Sequence, residues 1–418
     1  MIKRKLLNEL NDHLPKKEIT MIVGPRQAGK TTVMQYLMGE LKKSGQKTLF
    51  LNLDFDEERQ HFSSQLKLMS KIELEIGDLG GYVFIDEIQR LDNAGLFLKG
   101  LYDRNLPYKF IVSGSGSVEL KEKIHESLAG RKLVFELNTL SFFEFVNYKT
   151  GYRYEDKLNQ FIELEPEKTA VFLEQYLNFG GYPRVVITEE LKEKRMIIDE
   201  IYQSYIMRDI AYLLQVQKID SYSKMIRALA AQMGNAVNYN ELAKTVGISI
   251  PTVSNYLWYG EKTYILKKLT PYFRNPRKEI TKSPNYYFYD LGLRNYVLGS
   301  FGQLSSSTDF GFLFENMVLN IIQDSLKHTG AVINYWRTKD GAEVDFIISR
   351  GEKLLPIEVK YKRLEKPAYS RSFINFINRY NPSFAIIVNL TLDTKEEVGN
   401  TGVYSIPYYR LPELLAFM

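Results

Sequence analysis

Residues 18–41, EITMIVGPRQAGKTTVMQYLMGEL, run from a short apolar strand through a glycine-rich loop into an amphipathic helix. Gly24 to Thr31 spell G-x-x-x-x-G-K-[ST] in full, and a strand–loop–helix setting is where that spelling cradles phosphate. Glycines let backbone N–H groups curl round a β-phosphate, and the helix N-terminus adds its dipole. Gly24, Pro25, Gln27, Ala28, Gly29, Lys30, Thr31 and Thr32 are therefore the expected nucleotide-binding residues. Lys30 is expected on the β- and γ-phosphates of ATP, and the Thr31 hydroxyl on Mg2+. The bland alternative is a chance loop, against which the strand and helix on either side argue.

The next signal is GGYVFIDEIQR, residues 80–90, an apolar strand ending in Asp86-Glu87. An acid at such a strand end can hold Mg2+, and the following Glu can polarise the attacking water. YKFIVSGSGS, residues 108–117, is a second apolar strand ending in hydroxyls. Ser113 there either senses the γ-phosphate or orients the water, or else is an ordinary strand-to-loop cap.

The chain has 418 residues, which suggests two to four domains. Its apolar fraction of 44% and charged fraction of 25% fit a folded globular protein. The absence of cysteine excludes disulfides and thiolate metal sites and fits a reducing cytoplasm. No apolar run is long enough to span a bilayer, so no membrane role is expected. A net charge of +5 permits nucleic-acid contact without demanding it.

GPRQAGKTT, FIDEIQ, SGSGS and SLAGR, in this order, resemble a large family of bacterial and archaeal AAA+-type ATPases that carry a C-terminal restriction-endonuclease-like domain. The resemblance covers essentially the whole chain. It implies an α/β protein with an ATPase domain at 1–150, a helical lid at 151–218 and a PD-(D/E)xK nuclease-like domain at 301–418, and the residues between, 219–300, are read below as a winged helix. It also implies a homo-oligomer with shared ATP sites. Lys30, Thr31, Asp86, Glu87 and Ser113 take the Walker A, Walker B and sensor roles. Arg131, in SLAGR, is either an arginine finger acting on a neighbour's nucleotide or a structural Arg capping the helix that ends at Gly130.

The expected lid is broken at FGGYPRVV, residues 179–186, where Gly180, Gly181 and Pro183 are strong punctuation. In YIMRDIAYLL, residues 205–214, Arg208 and Asp209 are read as packing rather than communication. Further on, ELAKTVGIS gives a helix stopped by Gly247, and a second helix starts three residues later, as in a helix–turn–helix. The alternating stretch after it reads as a two-stranded wing bearing Lys267, Lys268, Arg274, Arg277, Lys278 and Lys282, the candidate DNA-phosphate contacts. Winged helices that bind proteins are the competing reading.

GAEVDFIISRGEKLLPIEVKYK, residues 341–362, reads as a hairpin turning at Gly351-Glu352. That register sets Asp345 opposite Glu358 and puts Val344, Phe346, Ile348, Leu355, Ile357 and Val359 on one apolar face. With Glu315 on the preceding helix and Lys360 two residues beyond Glu358, this is the PD-(D/E)xK arrangement. Glu315, Asp345 and Glu358 are expected to hold Mg2+ or Mn2+, with Lys360 positioning water or steadying phosphorane charge. The alternative is a scaffold that contacts protein partners and cleaves nothing. The sequence thus points to an ATP hydrolase working with DNA, or to a nucleotide-switched regulator.

Overall fold

The computed structural model describes residues 1–115, 128–204, 219–274, 282–304 and 307–416. Strands β1 (Ile19–Gly24), β2 (Thr48–Asn52), β3 (Gly81–Asp86), β4 (Tyr108–Ser115) and β5 (Lys132–Glu136) form a parallel sheet in the order β2-β3-β4-β1-β5. Every residue of β1 is buried, because Met21 and Val23 pack into one apolar cluster while Ile22 packs into the other, across the sheet. A strand covered on both faces must read as an unbroken apolar run. An N-terminal helix, α1 (Leu6–His13), and the helix after the loop, α2 (Lys30–Lys43), cover one of those faces.

Helix α3 (Phe142–Lys149) ends the span expected for the ATPase domain, and the span expected for the lid holds α4 (Pro166–Phe179), α5 (Pro183–Ile187) and α6 (Leu191–Ser204), with shorter turns between them. The break at FGGYPRVV falls where the glycines predicted it: Gly180 has φ +72° and Pro183 opens α5. Arg208 and Asp209 lie outside the described residues.

Three helices follow: α7 (Ile219–Ala231), α8 (Tyr239–Val246) and α9 (Ile250–Lys262). Gly247, at φ +74°, closes α8, and the Ser249 hydroxyl caps α9 by accepting from the Thr252 N–H at 3.3 Å. The antiparallel pair β6 (Leu266–Leu269) and β7 (Asn285–Phe288) comes next, then α10 (Leu291–Leu298).

The C-terminal part places β8 (Val332–Arg337), β9 (Glu343–Arg350), β10 (Lys353–Val359), β11 (Phe384–Asn389), β12 (Thr394–Val398) and β13 (Thr401–Pro407) in one mixed sheet of order β12-β13-β11-β10-β9-β8. Helix α11 (Ser307–Ser325) packs on one face and α12 (Arg371–Tyr380) on the other. The four expected units are not walled off from one another. One apolar cluster runs from Leu140 through α4, α7, α9 and α11 to Leu415. The chain after β6 is also stitched to the sheet edge: the Tyr335 N–H donates to the Thr270 carbonyl at 3.1 Å, and Asn334 Nδ2 to the Thr270 hydroxyl at 2.9 Å.

Candidate active site

The phosphate loop leaves β1 at the carboxyl end of the sheet, the edge where open α/β sheets bind ligands. Gly24 could be nothing else, since a Cβ there would stand 2.1 Å from the Leu137 carbonyl oxygen. Gln27 at φ +57° and Gly29 at φ +97° curl the loop into the start of α2. Lys30 is buried, and its ammonium donates to the Gly24 and Pro25 carbonyls at 3.1 and 2.8 Å. It therefore lies folded back along the loop it would leave to meet a phosphate.

Asp86 is almost wholly buried and is the hub of the site. Its Oδ2 accepts from the Thr31 hydroxyl at 2.6 Å. Its Oδ1 accepts from the Ser113 hydroxyl and from the Glu87 N–H, the latter at 3.1 Å. The sheet order makes this meeting possible: β4, carrying Ser113, lies between β1 and β3. Glu87 follows in a left-handed conformation, φ +56° and ψ +42°, which is uncommon for a residue with a side chain and clusters at functional sites. Gln89 Nε2 donates to its Oε2. Burial raises the Glu87 carboxyl above its ordinary value, with Asp86 adding to the effect and Lys30 and Gln89 opposing it.

These groups fit a nucleotide with Mg2+. A hydroxyl and a carboxylate already within hydrogen-bonding distance form a hard-oxygen pair suited to that ion, and Lys30 would be the cation for the phosphates. When bound, Mg2+ supplies charge neutralisation at the phosphate oxygens. Ser113 fixes the Asp86 carboxylate and sits 3.4 Å from the Glu87 N–H, so it belongs to this network and is more than a strand cap. Glu87, freed from Gln89, can take a proton from water.

Three residues that the sequence did not single out help build the site. Arg4 is buried and donates to the Ala28 carbonyl at 2.9 Å, bracing the phosphate loop from the N-terminal arm. Arg184 of α5 donates to Gln27 Oε1 at 3.1 Å and to Glu200 Oε2 at 2.9 Å. Pro183, Arg184 and Glu200 form the far wall of a cleft of about 700 Å3 whose near wall is Lys30, Thr31, Thr32 and Glu87. FGGYPRVV carried the signal for Arg184, as a loop break; nothing local marks Arg4.

Arg131 pairs with Asp103, Nε to Oδ1 at 2.7 Å. It precedes Lys132, which is in register with Ile19 at the amino end of β1. The phosphate loop leaves the opposite end, about 16 Å away at 3.3 Å per residue, so Arg131 does not serve the nucleotide of its own chain.

The wing residues divide. Lys267 is a correction: it is 8% exposed and donates to Asn320 Oδ1 and Gln323 Oε1 at 2.7 and 2.6 Å, so the backbone of a DNA duplex cannot reach it. Lys268, Arg274 and Lys282 are exposed, with Arg274 over the Tyr380 ring. Arg277 and Lys278 lie outside the described residues.

In the C-terminal hairpin the expected register is the one found, from Lys353↔Arg350 to Ile357↔Phe346, and Gly351 has φ +59°. Asp345 and Glu358 are thus the next opposed pair. The apolar face is not as expected. Asn334 pairs with Ile347 and Trp336 with Val344, so Asp345 and Phe346 together oppose Tyr335 in a β-bulge. The bulge reverses the alternation, putting Val344 with Ile347 beneath α12 and away from Phe346 and Ile348.

The expected metal site finds no support in the side-chain geometry. Asp345 Oδ2 accepts from the Val359 N–H at 2.7 Å, Glu358 accepts from Lys360 Nζ at 2.5 Å and faces the Ser370 N–H, and Glu315 accepts from the Tyr287 hydroxyl at 2.6 Å. Among the described residues no three acids or histidines are grouped to hold a metal. Lys360 is accordingly the ion-pair partner of Glu358.

Burial pushes Asp345 up to about 7, with the Val359 N–H opposing and Glu358 adding; burial and the Asp345 carboxylate push Glu315 well up too. A raised acid stabilises the fold below its unfolded value, about 3.9 for Asp, and that contribution is lost as pH rises through its folded value. Asp345→Asn is therefore expected to raise the melting temperature by about 2–4 °C at pH 8 and to change little near pH 4. Thermal melts across pH check this. A rise induced by Mg2+ in the parent chain and lost in the variant would restore the metal site instead.

Comparison with known proteins gives three matches along the chain. Residues 16–146 match the AAA domain family, residues 172–304 a domain of unknown function (DUF8612) and residues 310–410 another (DUF4143). An uncharacterised protein of Methanocaldococcus jannaschii is 26% identical over 432 residues, covering 98% of this chain and 91% of its own length. An uncharacterised protein of Mycobacterium tuberculosis is 27% identical over 373 residues, covering 88% of this chain and 76% of its own. Among solved structures, the Aeropyrum pernix ORC1 protein in complex with DNA covers 70% of this chain and 90% of its own, at 11% identity and a TM-score of 0.28. No helix among the described residues is long and apolar enough to cross a membrane. Because the loop, the acid-ended strand and Ser113 all fall inside the matched span, the AAA domain match supports a P-loop AAA+ ATPase domain over residues 16–146.

Proposed function

We propose that the chain is a Mg2+-dependent ATPase whose nucleotide state is passed to a DNA-contacting winged helix, α7 to β7, and to the C-terminal sheet domain. The observation that carries the reading is the hydrogen-bonded group of Thr31, Asp86, Ser113 and Glu87 beside the phosphate loop. A route for coupling is supported by Asp290, between β7 and α10. Its carboxylate caps α10 through the Leu293 N–H at 2.9 Å and also accepts from the Gly181 N–H at 2.8 Å, two residues before the wall of the nucleotide cleft. With Glu315, Asp345 and Glu358 each engaged by a protein partner, we read the C-terminal domain as a contact surface that does not cleave.

The DNA part rests on Lys268, Arg274 and Lys282, because the exposed start of α9 (Ile250, Pro251, Ser254, Asn255) is uncharged. Each cation neutralising a phosphate of duplex DNA contributes about −0.9 to the slope of log affinity against log salt. Lys268→Gln with Lys282→Gln is expected to reduce that slope by about 2 and to leave ATP turnover without DNA unchanged. Fluorescence anisotropy on a labelled duplex at several salt concentrations reads this. An unchanged slope, with no stimulation of hydrolysis by DNA, would direct these modules to protein partners.

A further inference from the structure

Lys267, withdrawn from the surface, borders a cavity of about 570 Å3 where the N-terminal arm, the segment leading into α3, and α11 meet. Among the described residues its ammonium is in direct contact with neutral groups, two side-chain amide oxygens and the Tyr289 ring, whose centroid is 4.5 Å away. The acids lining the cavity have cations of their own. Glu144 pairs with Arg4 at 3.1 Å, Glu155 with Lys3 at 2.7 Å and Asp324 with Lys327 at 3.3 Å. A buried charge with no opposite charge in direct contact is costly, and proteins relieve it by pairing or by neutralisation. Burial pushes the Lys267 amine down to about 8, with Asp324 and Glu136 opposing and Lys327 adding.

We propose that this cavity is a binding site for a small organic anion bearing a carboxylate or phosphate group, with Lys267 as its counter-ion. The volume is in the range of small-molecule sites and far below what a duplex requires. The walls suit an organic body: Met317, Ile321, Tyr176 and Tyr409 supply apolar surface, and Asn138 and Asn320 supply polar groups. Arg4 lines the cavity and also holds the Ala28 carbonyl of the phosphate loop, so an occupant touches the residue that braces the ATP site.

The test uses the full chain and inorganic sulfate, which remains a dianion throughout. The parent and Lys267→Met, both saturated with ADP, are titrated with sulfate at constant ionic strength while the melting temperature is read. The parent is expected to show a saturable rise. The variant is expected to show only the gradual rise that sulfate gives any protein by exclusion. In the parent alone, apparent sulfate affinity is expected to fall about tenfold per pH unit above 8, as the amine loses its proton; the groups facing it are Asp324, Lys327, Glu136 and Tyr289. This arm does not depend on the variant folding. Equal rises in both proteins, or a saturable rise indifferent to pH, would overturn the proposal. Failure of ADP to bind would count against the ATPase reading, yet sulfate in the empty phosphate loop would act on both proteins alike and leave their difference readable.

Discussion

Glu87→Gln is expected to bind ATP as tightly as the parent chain and to lose about 10²–10⁴-fold in turnover, the usual worth of a positioned general base. The amide has nearly the shape of the carboxylate and can still accept from Gln89 Nε2. It cannot take a proton from water. The left-handed backbone at Glu87 is set by its N–H bonds to Asp86 and Ser113, which the substitution leaves intact, so a loss of turnover is not a loss of folding. The parent should also show a pH dependence of its own. Burial raises the Glu87 carboxyl above the ordinary Glu value, so the acid limb of the rate profile should lie above that value and be missing from the variant. Single-turnover kinetics with separate binding measurements check both statements. A variant with normal turnover would remove Glu87 as the base.

Lys30→Ala is expected to weaken ATP binding by about 10²-fold or more. Each hydrogen bond from a charged donor is worth about 1.5–3 kcal/mol, and an ammonium between two phosphates makes more than one. The folded protein should tolerate the change, because the bonds that Lys30 makes to the Gly24 and Pro25 carbonyls stand at a cleft that water can enter. The charge also acts on its neighbour. Lys30 is the group that most strongly opposes the raised Glu87 carboxyl, so the variant should push Glu87 higher still. Calorimetric titration with ADP and with a non-hydrolysable ATP analogue reads the loss. Unchanged affinity for both would mean that nucleotide, if bound, is bound elsewhere.

What was legible in the sequence was what a short segment imposes on itself. Gly24 and Lys30 are spelled by the backbone shape that phosphate demands, Asp86 and Glu87 by the end of a buried strand. Gly351 set the hairpin register because a two-residue turn leaves the strands no freedom to slide. The errors came from contacts between distant segments. The bulge at Asp345–Phe346 is a feature of pairing with Tyr335, itself tied to Thr270 just after β6. It moved Val344 to the other face, and nothing within residues 341–362 announces it. Lys267 and Lys268 are adjacent in a strand and must point opposite ways; α11, with Asn320 and Gln323, decides which of them is buried. Arg4 and Arg184 reach the phosphate loop from 24 and 157 residues away, beyond any local pattern.

Residues 24–31, with Asp86 and Glu87, are expected to make a working ATPase. Steady-state phosphate release from ATP, by the parent chain and Lys30→Ala side by side, with Mg2+ and with EDTA, tests it most directly. Turnover by the parent should require Mg2+ and be lost in the variant. Equal release from the two proteins, or release from the parent that persists in EDTA, would contradict it.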